Sequence, residues 1–184
     1  MDYLQDIITQ IELHSAAGIR NCFENGISPN QLYNGKPLIE ELTSEYTRTS
    51  MFKDCIKTFV DYGLRFDDKA LLAVLLDDSS ALEKLVTANP EIVTHKYTLR
   101  CAYTPLDNAT LLHICAEFNH TSSAEVLVKH NAGVNVKAGT DEYGFGGQTP
   151  VFHTVNQNGN QSKEMLDFLL SKNADLDITV QGII

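Results

Sequence analysis

The chain has 184 residues, 43% hydrophobic and 21% charged, with a formal net charge of −10. Those proportions describe a folded domain or a short repeat array and exclude a disordered tail. Lys and Arg are scattered without a basic cluster, so neither nucleic acid nor an anionic membrane is an expected partner, whereas a protein with basic segments is.

The N-terminus, "MDYLQDIITQIEL", carries acids and no basic n-region, so it does not read as a secretory signal. The longest apolar run, "ALLAVLL" at 70–76, is far short of a membrane span. Four widely spaced cysteines with no CxxC read as reduced thiols, which implies a cytoplasmic protein.

Along the chain one helical stripe recurs. A helix is expected near 2–12, followed by a second with Ile19, Cys22 and Phe23 on one face and then Gly26. The next pair is a helix near 36–46 and the stripe Cys55, Ile56, Phe59, Val60, then Gly63. A third is 69–76 with Ala81, Leu82, Leu85, Val86, then Asn89. A fourth is 111–118 with Ala124, Leu127, Val128, then Asn131. The fifth is 150–157 with Met165, Leu166, Leu169, Leu170, then Asn173. Each second helix thus reaches Gly or Asn three residues past its last apolar position, the types that tolerate the left-handed backbone of a helix stop. The frame closes on Asn30, Asp67, Asn135 and Asp177, with Val93 the exception. Ser80 with Glu83, and Ser122 with Glu125, fit capping boxes. From Phe23 through Val60, Val86 and Val128 to Leu170 the intervals are 37, 26, 42 and 42 residues, so insertions sit in loops. A single pair buries too little to fold, whereas stacked pairs share a core.

The fourth unit, "TLLHICAEFNHTSSAEVLVKHNAGVNV", resembles an ankyrin repeat. Thr110, Leu112, His113, Ala116, His120, Leu127, Ala132, Val134 and Asn135 match its pattern without a gap. The fifth matches through Thr149, Pro150, Leu169, Leu170, Ala174 and Asp175, with Phe152 in place of the usual His. Units one to three match more loosely, the second through Pro37, Leu38 and Gly63. The resemblance implies an all-α ankyrin-repeat solenoid of about five helix-pair units with β-hairpin-like loops. The units would span about 1–35, 36–68, 69–107, 108–147 and 148–184. It also implies that Thr110 and His113 hydrogen-bond within and between units and that His120 braces an inter-helix loop. Two loops are long for the family: 17 residues from Val93 to Thr110 and 14 from Asn135 to Thr149.

The stretch "TLLHICAEFNH" concentrates groups capable of chemistry, but on a helix His113 and Glu117 share one face while Cys115 points away. No nucleophile–base–acid set assembles elsewhere, so no metal, cofactor or catalytic residue is expected. "YGFGG" at 143–147 lacks the residues of a phosphate-binding loop and reads as hairpin turn chemistry. The competing reading is an enzyme or metal-binding protein using His113, Cys115 and Cys101, the last lying beside Arg100 in a long loop.

The preferred reading is a non-catalytic protein–protein interaction module. By the family pattern, Glu117 and Phe118 in unit four, and Asn156 and Gln157 in unit five, face the concave side. Tyr143 and Phe145 on one long loop, and Tyr97 and Tyr103 on the other, would add aromatic anchors or pack loop against loop. The C-terminal "DLDITVQGII" leaves Ile183 and Ile184 without a capping repeat, which points to a longer array or to self-association through that end.

Overall fold

The structure, a computed structural model, describes residues 2–101, 106–140, 142–155 and 161–180. The chain divides into two compact units, Met1–Asp67 with Arg100–Ala102, and Asp68–Leu99 with Tyr103–Ile184.

The first unit holds two helix pairs, α1 (Tyr3–Glu12) with α2 (Ala16–Glu24), and α3 (Leu38–Ser44) with α4 (Phe52–Asp61). Asp2 caps α1 and Ser15 caps α2, each side chain accepting first-turn N–H groups that have no partner inside the helix. Between the pairs, β1 (Leu32–Tyr33) turns into β2 (Lys36–Pro37) through Asn34 and Gly35, both at positive φ, 50° and 77°. That Asn-Gly pair is the preferred two-residue hairpin turn. It delays the helix expected from residue 36 until Leu38. The core is the apolar stripe of all four helices, including Ile7, Ile11, Ile19, Cys22, Leu38, Leu42, Cys55, Ile56 and Phe59. Phe23 meets Phe59 edge-on at 5.0 Å between ring centroids.

The second unit runs α5 (Lys69–Leu75), α6 (Ser79–Ala88), a 3-10 turn (Pro90–Val93), β3 (Tyr97–Leu99), β4 (Leu106–Ala109), α7 (Leu111–Phe118), α8 (Thr121–Lys129), a second 3-10 segment (Pro150–Thr154) and α9 (Lys163–Ser171). β3 and β4 pair antiparallel with an irregularity between Tyr97 and Leu99. α7 is buried at all eight positions, because α5, α8 and the 3-10 segment Pro150–Thr154 pack against it. The opening of the fifth pair is a 3-10 segment where an α-helix to residue 157 was expected, and residues 156–160 lie outside those described.

Four of the five second helices end as expected, with Gly26, Gly63, Asn131 and Asn173 at φ of 98°, 89°, 69° and 63°. Asn89 does not: its φ is −139° and its side chain instead caps the following 3-10 turn. Pro90 is the reason, since a proline confines the preceding residue to extended backbone. The two expected capping boxes are also absent. Asp78 caps α6, its carboxylate accepting from Ala81 N, which places Ser80 inside the first turn. The start of α8 is capped by a neighbour: Asp77, in the turn between α5 and α6, accepts from both Ser123 N and Ser123 Oγ at 2.9 Å.

That cross-connection recurs within each compact unit. The residue turning the chain between two paired helices is left-handed at His14, Asp77 and Asn119 (φ 48°, 53° and 56°). Each side chain reaches the next pair: His14 bonds Thr49 at 2.8 Å, Asp77 bonds Ser123, and Asn119 donates to Gln161 O at 2.7 Å. A second series sits at the frame-closing Asn. Asn30 donates to Gly63 O at 2.9 Å and accepts from Arg65 N at 2.7 Å. Asn135 does the same with Asn173 O at 3.1 Å and Asp175 N at 2.8 Å. Replacing Asn135 by Ala removes both bonds from an exposed site, and urea unfolding is expected to show a loss of about 1 kcal/mol with an unchanged m-value.

Candidate interaction surface

The helix start Thr110–His113 is built as a closed polar unit. Thr110 N donates to His113 Nδ1 at 3.1 Å, and the Thr110 hydroxyl lies 2.8 Å from the same nitrogen. With Nδ1 an acceptor, Nε2 carries the proton and donates to Gln148 O at 3.1 Å. Both ring nitrogens are therefore occupied. Burial first, and the neighbouring His153 second, push the imidazole pKa down from 6.5 to about 3. The ring is neutral at any physiological pH. His120 donates from Nδ1 to Val74 O at 2.7 Å, bracing the turn as its place in the repeat implied.

Glu117 is not an exposed, partner-facing residue. Its side chain is buried, 1% exposed, and accepts from His153 Nδ1 at 2.9 Å. His153 is equally buried, and its ring stands edge-on to His113 at 5.7 Å. Phe118, expected to be exposed, retains 7% of its surface. Both expectations fail for one reason: the 3-10 segment Pro150–Thr154 packs against α7 and covers the face they occupy. The pairing with His153 was accessible in principle, because a carboxylate at an interior helix position needs a buried donor. His153, four residues after Thr149 and one after the Phe that replaces the usual His, was the available donor.

The cysteines are all free thiols. Burial drives Cys115 well above its ordinary pKa and pushes Cys22 to about 11 and Cys55 to about 12, so these three are protonated packing groups. Cys101, in the first compact unit, accepts from Arg48 Nη2 at 3.0 Å. Of the three residues of the competing reading, His113 has both ring nitrogens engaged by Thr110 and Gln148, Cys115 is interior, and Cys101 belongs to the first unit. No group of three or more His, Cys, Asp or Glu side chains among the described residues is arranged to hold a metal.

The aromatic loop residues divide. Tyr97 is buried, its ring edge-on to His95 at 4.7 Å, and burial raises its phenol to about 12; it packs the base of the β3–β4 hairpin rather than offering a contact. Tyr143 and Phe145 are 65% and 46% exposed at the tip of the 136–148 loop. That loop is a hairpin held by an isolated bridge between Thr140 and Gly146, by Gly147 N to Gly139 O at 3.0 Å and by Ala138 N to Gln148 O at 2.8 Å. Gly144, Gly146 and Gly147 all have positive φ, as the turn reading of "YGFGG" requires. A side chain at Gly146 would collide with Gly139 O and Thr140 Cα, so only glycine closes this hairpin. Tyr103, Asn156 and Gln157 lie outside the described residues.

Paired helices joined by short hairpins, with a Thr–His start bonded to the next pair, define a helical repeat protein. The family model for ankyrin repeats, in three copies, matches residues 70–180, and the chain belongs to the ankyrin-repeat family. A comparison with curated proteins returned no match. Ankyrin repeats are generally protein–protein interaction modules, and no helix among the described residues is long and apolar enough to cross a membrane.

Two measurements test the buried Glu117–His153 and Thr110–His113 contacts. Glu117→Ala strands the buried His153 and is expected to cost about 3 kcal/mol in denaturant unfolding, against at most about 0.5 kcal/mol for an exposed contact residue. The depressed pKa of His113 means the unfolded chain binds a proton that the folded chain does not between pH 6.5 and about 3. Stability therefore falls as pH drops through that window, by up to ~1.4 kcal/mol per pH unit from this residue. His113→Gln should lower stability at pH 7 yet flatten the slope below pH 6; parallel slopes for the two proteins would refute the link.

Proposed function

We propose that the protein is a non-catalytic interaction module of about five ankyrin-like helix pairs, the units spanning about 1–35, 36–68, 69–107, 108–147 and 148–184. Its 136–148 hairpin anchors a partner protein that carries basic segments. The observation that carries this reading is the exposure of Tyr143 and Phe145 on a tip whose backbone is fixed by cross-hairpin bonds. Aromatic side chains with few rotatable bonds, offered on a pre-ordered loop, lose little entropy on binding. Glu142 beside Tyr143 is exposed, which supplies a charge that a basic segment complements. Free, mostly buried thiols support a reducing, cytoplasmic setting. The engagement of both His113 nitrogens and the burial of Cys115 weigh against the enzyme or metal-binding alternative.

The test is affinity capture with the chain as bait, alongside the double variant Tyr143→Ser, Phe145→Ser. Capture of the partner should fall at least tenfold, about 1.4 kcal/mol, in the variant, and should weaken for the wild type as salt rises. Equal capture by both baits would sink the hairpin as the binding surface.

A further inference from the structure

The turn of the 136–148 hairpin specifies more than an apolar anchor. Thr140 and Gly146 face each other as an isolated bridge, so the chain reverses within residues 141–145. Consecutive Cα atoms are about 3.8 Å apart, which holds the Cα atoms of Glu142, Tyr143 and Phe145 within roughly 11 Å of one another. All three residues are exposed. Gly144, between the two aromatics, has a φ of 80° and no side chain to stand between the rings. The base is fixed on both strands, by Gly139 N to Asp107 O at 2.8 Å and by Gly147 N to Gly139 O at 3.0 Å. The loop's one lysine, Lys137, donates to Thr179 O at 3.2 Å.

Two aromatic rings and a carboxylate on one short turn complement a particular chemical group. An aliphatic side chain would use the rings and leave Glu142 without a role. A carboxylate or phosphate would meet Glu142 as a like charge. A cation satisfies both, because the face of an aromatic ring attracts positive charge. Between the two cationic side chains, arginine fits better. Its guanidinium is planar and weakly hydrated, so it stacks on a ring while its N–H groups remain in the plane to meet a carboxylate two at a time. The lysine ammonium is a compact, strongly hydrated charge that gains less from a ring.

We propose that this turn is an arginine-binding site, in which the guanidinium of one arginine from the partner's basic segment lies against Tyr143 and Phe145 and pairs with Glu142. This rests on the hairpin being the binding surface and names the group recognised there. The net charge of −10 draws lysine-rich and arginine-rich segments alike. The turn is what distinguishes them.

Titration of the full chain, with its Tyr and Phe rings labelled for NMR, tests this. The probes are end-blocked Gly-Ser-Arg-Ser-Gly and its lysine and citrulline counterparts, the last keeping the planar shape without the charge. The arginine peptide should shift the Tyr143 and Phe145 ring signals, the lysine peptide should bind at least about threefold more weakly, and the citrulline peptide should leave the rings unmoved. Tyr143→Leu with Phe145→Leu keeps the apolar bulk and removes the rings; it should retain the wild-type circular dichroism and lose at least about fivefold in affinity for the arginine peptide. Glu142→Gln should lose about threefold. Equal shifts with arginine and citrulline, or wild-type affinity in the Leu variant, overturn the proposal. The Leu and Ser variants used side by side as capture baits separate the two levels. A partner held by the Leu variant and lost by the Ser variant leaves the hairpin as the contact and removes the arginine site. A partner held by both removes the hairpin as well.

Discussion

Within each compact unit, polar side chains that turn or close one helix pair satisfy hydrogen-bonding groups of the pair that follows. The left-handed turn residues His14, Asp77 and Asn119 reach forward to Thr49, Ser123 and Gln161. Asn30 and Asn135 reach forward to the helix stops at Gly63 and Asn173. A left-handed residue turns its side chain away from its own helix, which makes it available to a neighbour, and Asn, Asp and His tolerate that backbone best among residues with polar side chains. The constraint is mutual: burying one pair's apolar stripe against the next requires that the polar ends meet as well. Stability is accordingly a property of neighbouring pairs rather than of any one pair.

The same logic separates what the sequence made legible from what it did not. The second helices of the pairs and four of their five stops were readable because each depends on local periodicity and on one residue type at one offset. Asn89 departs from that pattern because Pro90 confines it to extended backbone, and this restriction overrides the tolerance of Asn for a left-handed stop. The Asn34–Gly35 hairpin is equally local, since an Asn-Gly pair alone favours a two-residue turn. The capping boxes failed differently. Ser122 and Glu125 have the right spacing, but the competing acceptor, Asp77, lies 46 residues away from Ser123 and no spacing rule can reach it.

Glu117 and Phe118 illustrate the harder limit. Their exposure was inferred from where the repeat pattern places such residues, and the pattern assumes a regular helix in the next unit. Here that element is a short 3-10 segment, with Phe152 in place of the usual His and three additional residues before α9. The change brings His153 against Glu117 and seals the face. A buried carboxylate–imidazole pair contributes less to stability than it costs when broken, so its consequence here is to fix how the two pairs meet. The aromatic hairpin tip, by contrast, was legible, because three glycines around two aromatics leave few conformations other than a tight turn.

The polar motif and the hairpin tip are also connected. Gln148 O accepts from His113 Nε2 and from Ala138 N, and Ala138 and Gln148 are the two ends of the loop that carries Tyr143 and Phe145. Gly139 N donates to Asp107 O in β4, which fixes the same loop to the preceding hairpin. The chain of bonds from Thr110 through His113 to Gln148 thus sets the base of the loop from inside the core. A neutral His113 is required, since protonating Nδ1 would remove the acceptor that Thr110 N uses. Thr110, His113 and Gln148 thus hold still the backbone that carries the exposed Tyr143 and Phe145. Pre-ordering of this kind reduces the entropy lost on binding, so a core substitution at His113 would be felt at the tip without any change in the side chains displayed there.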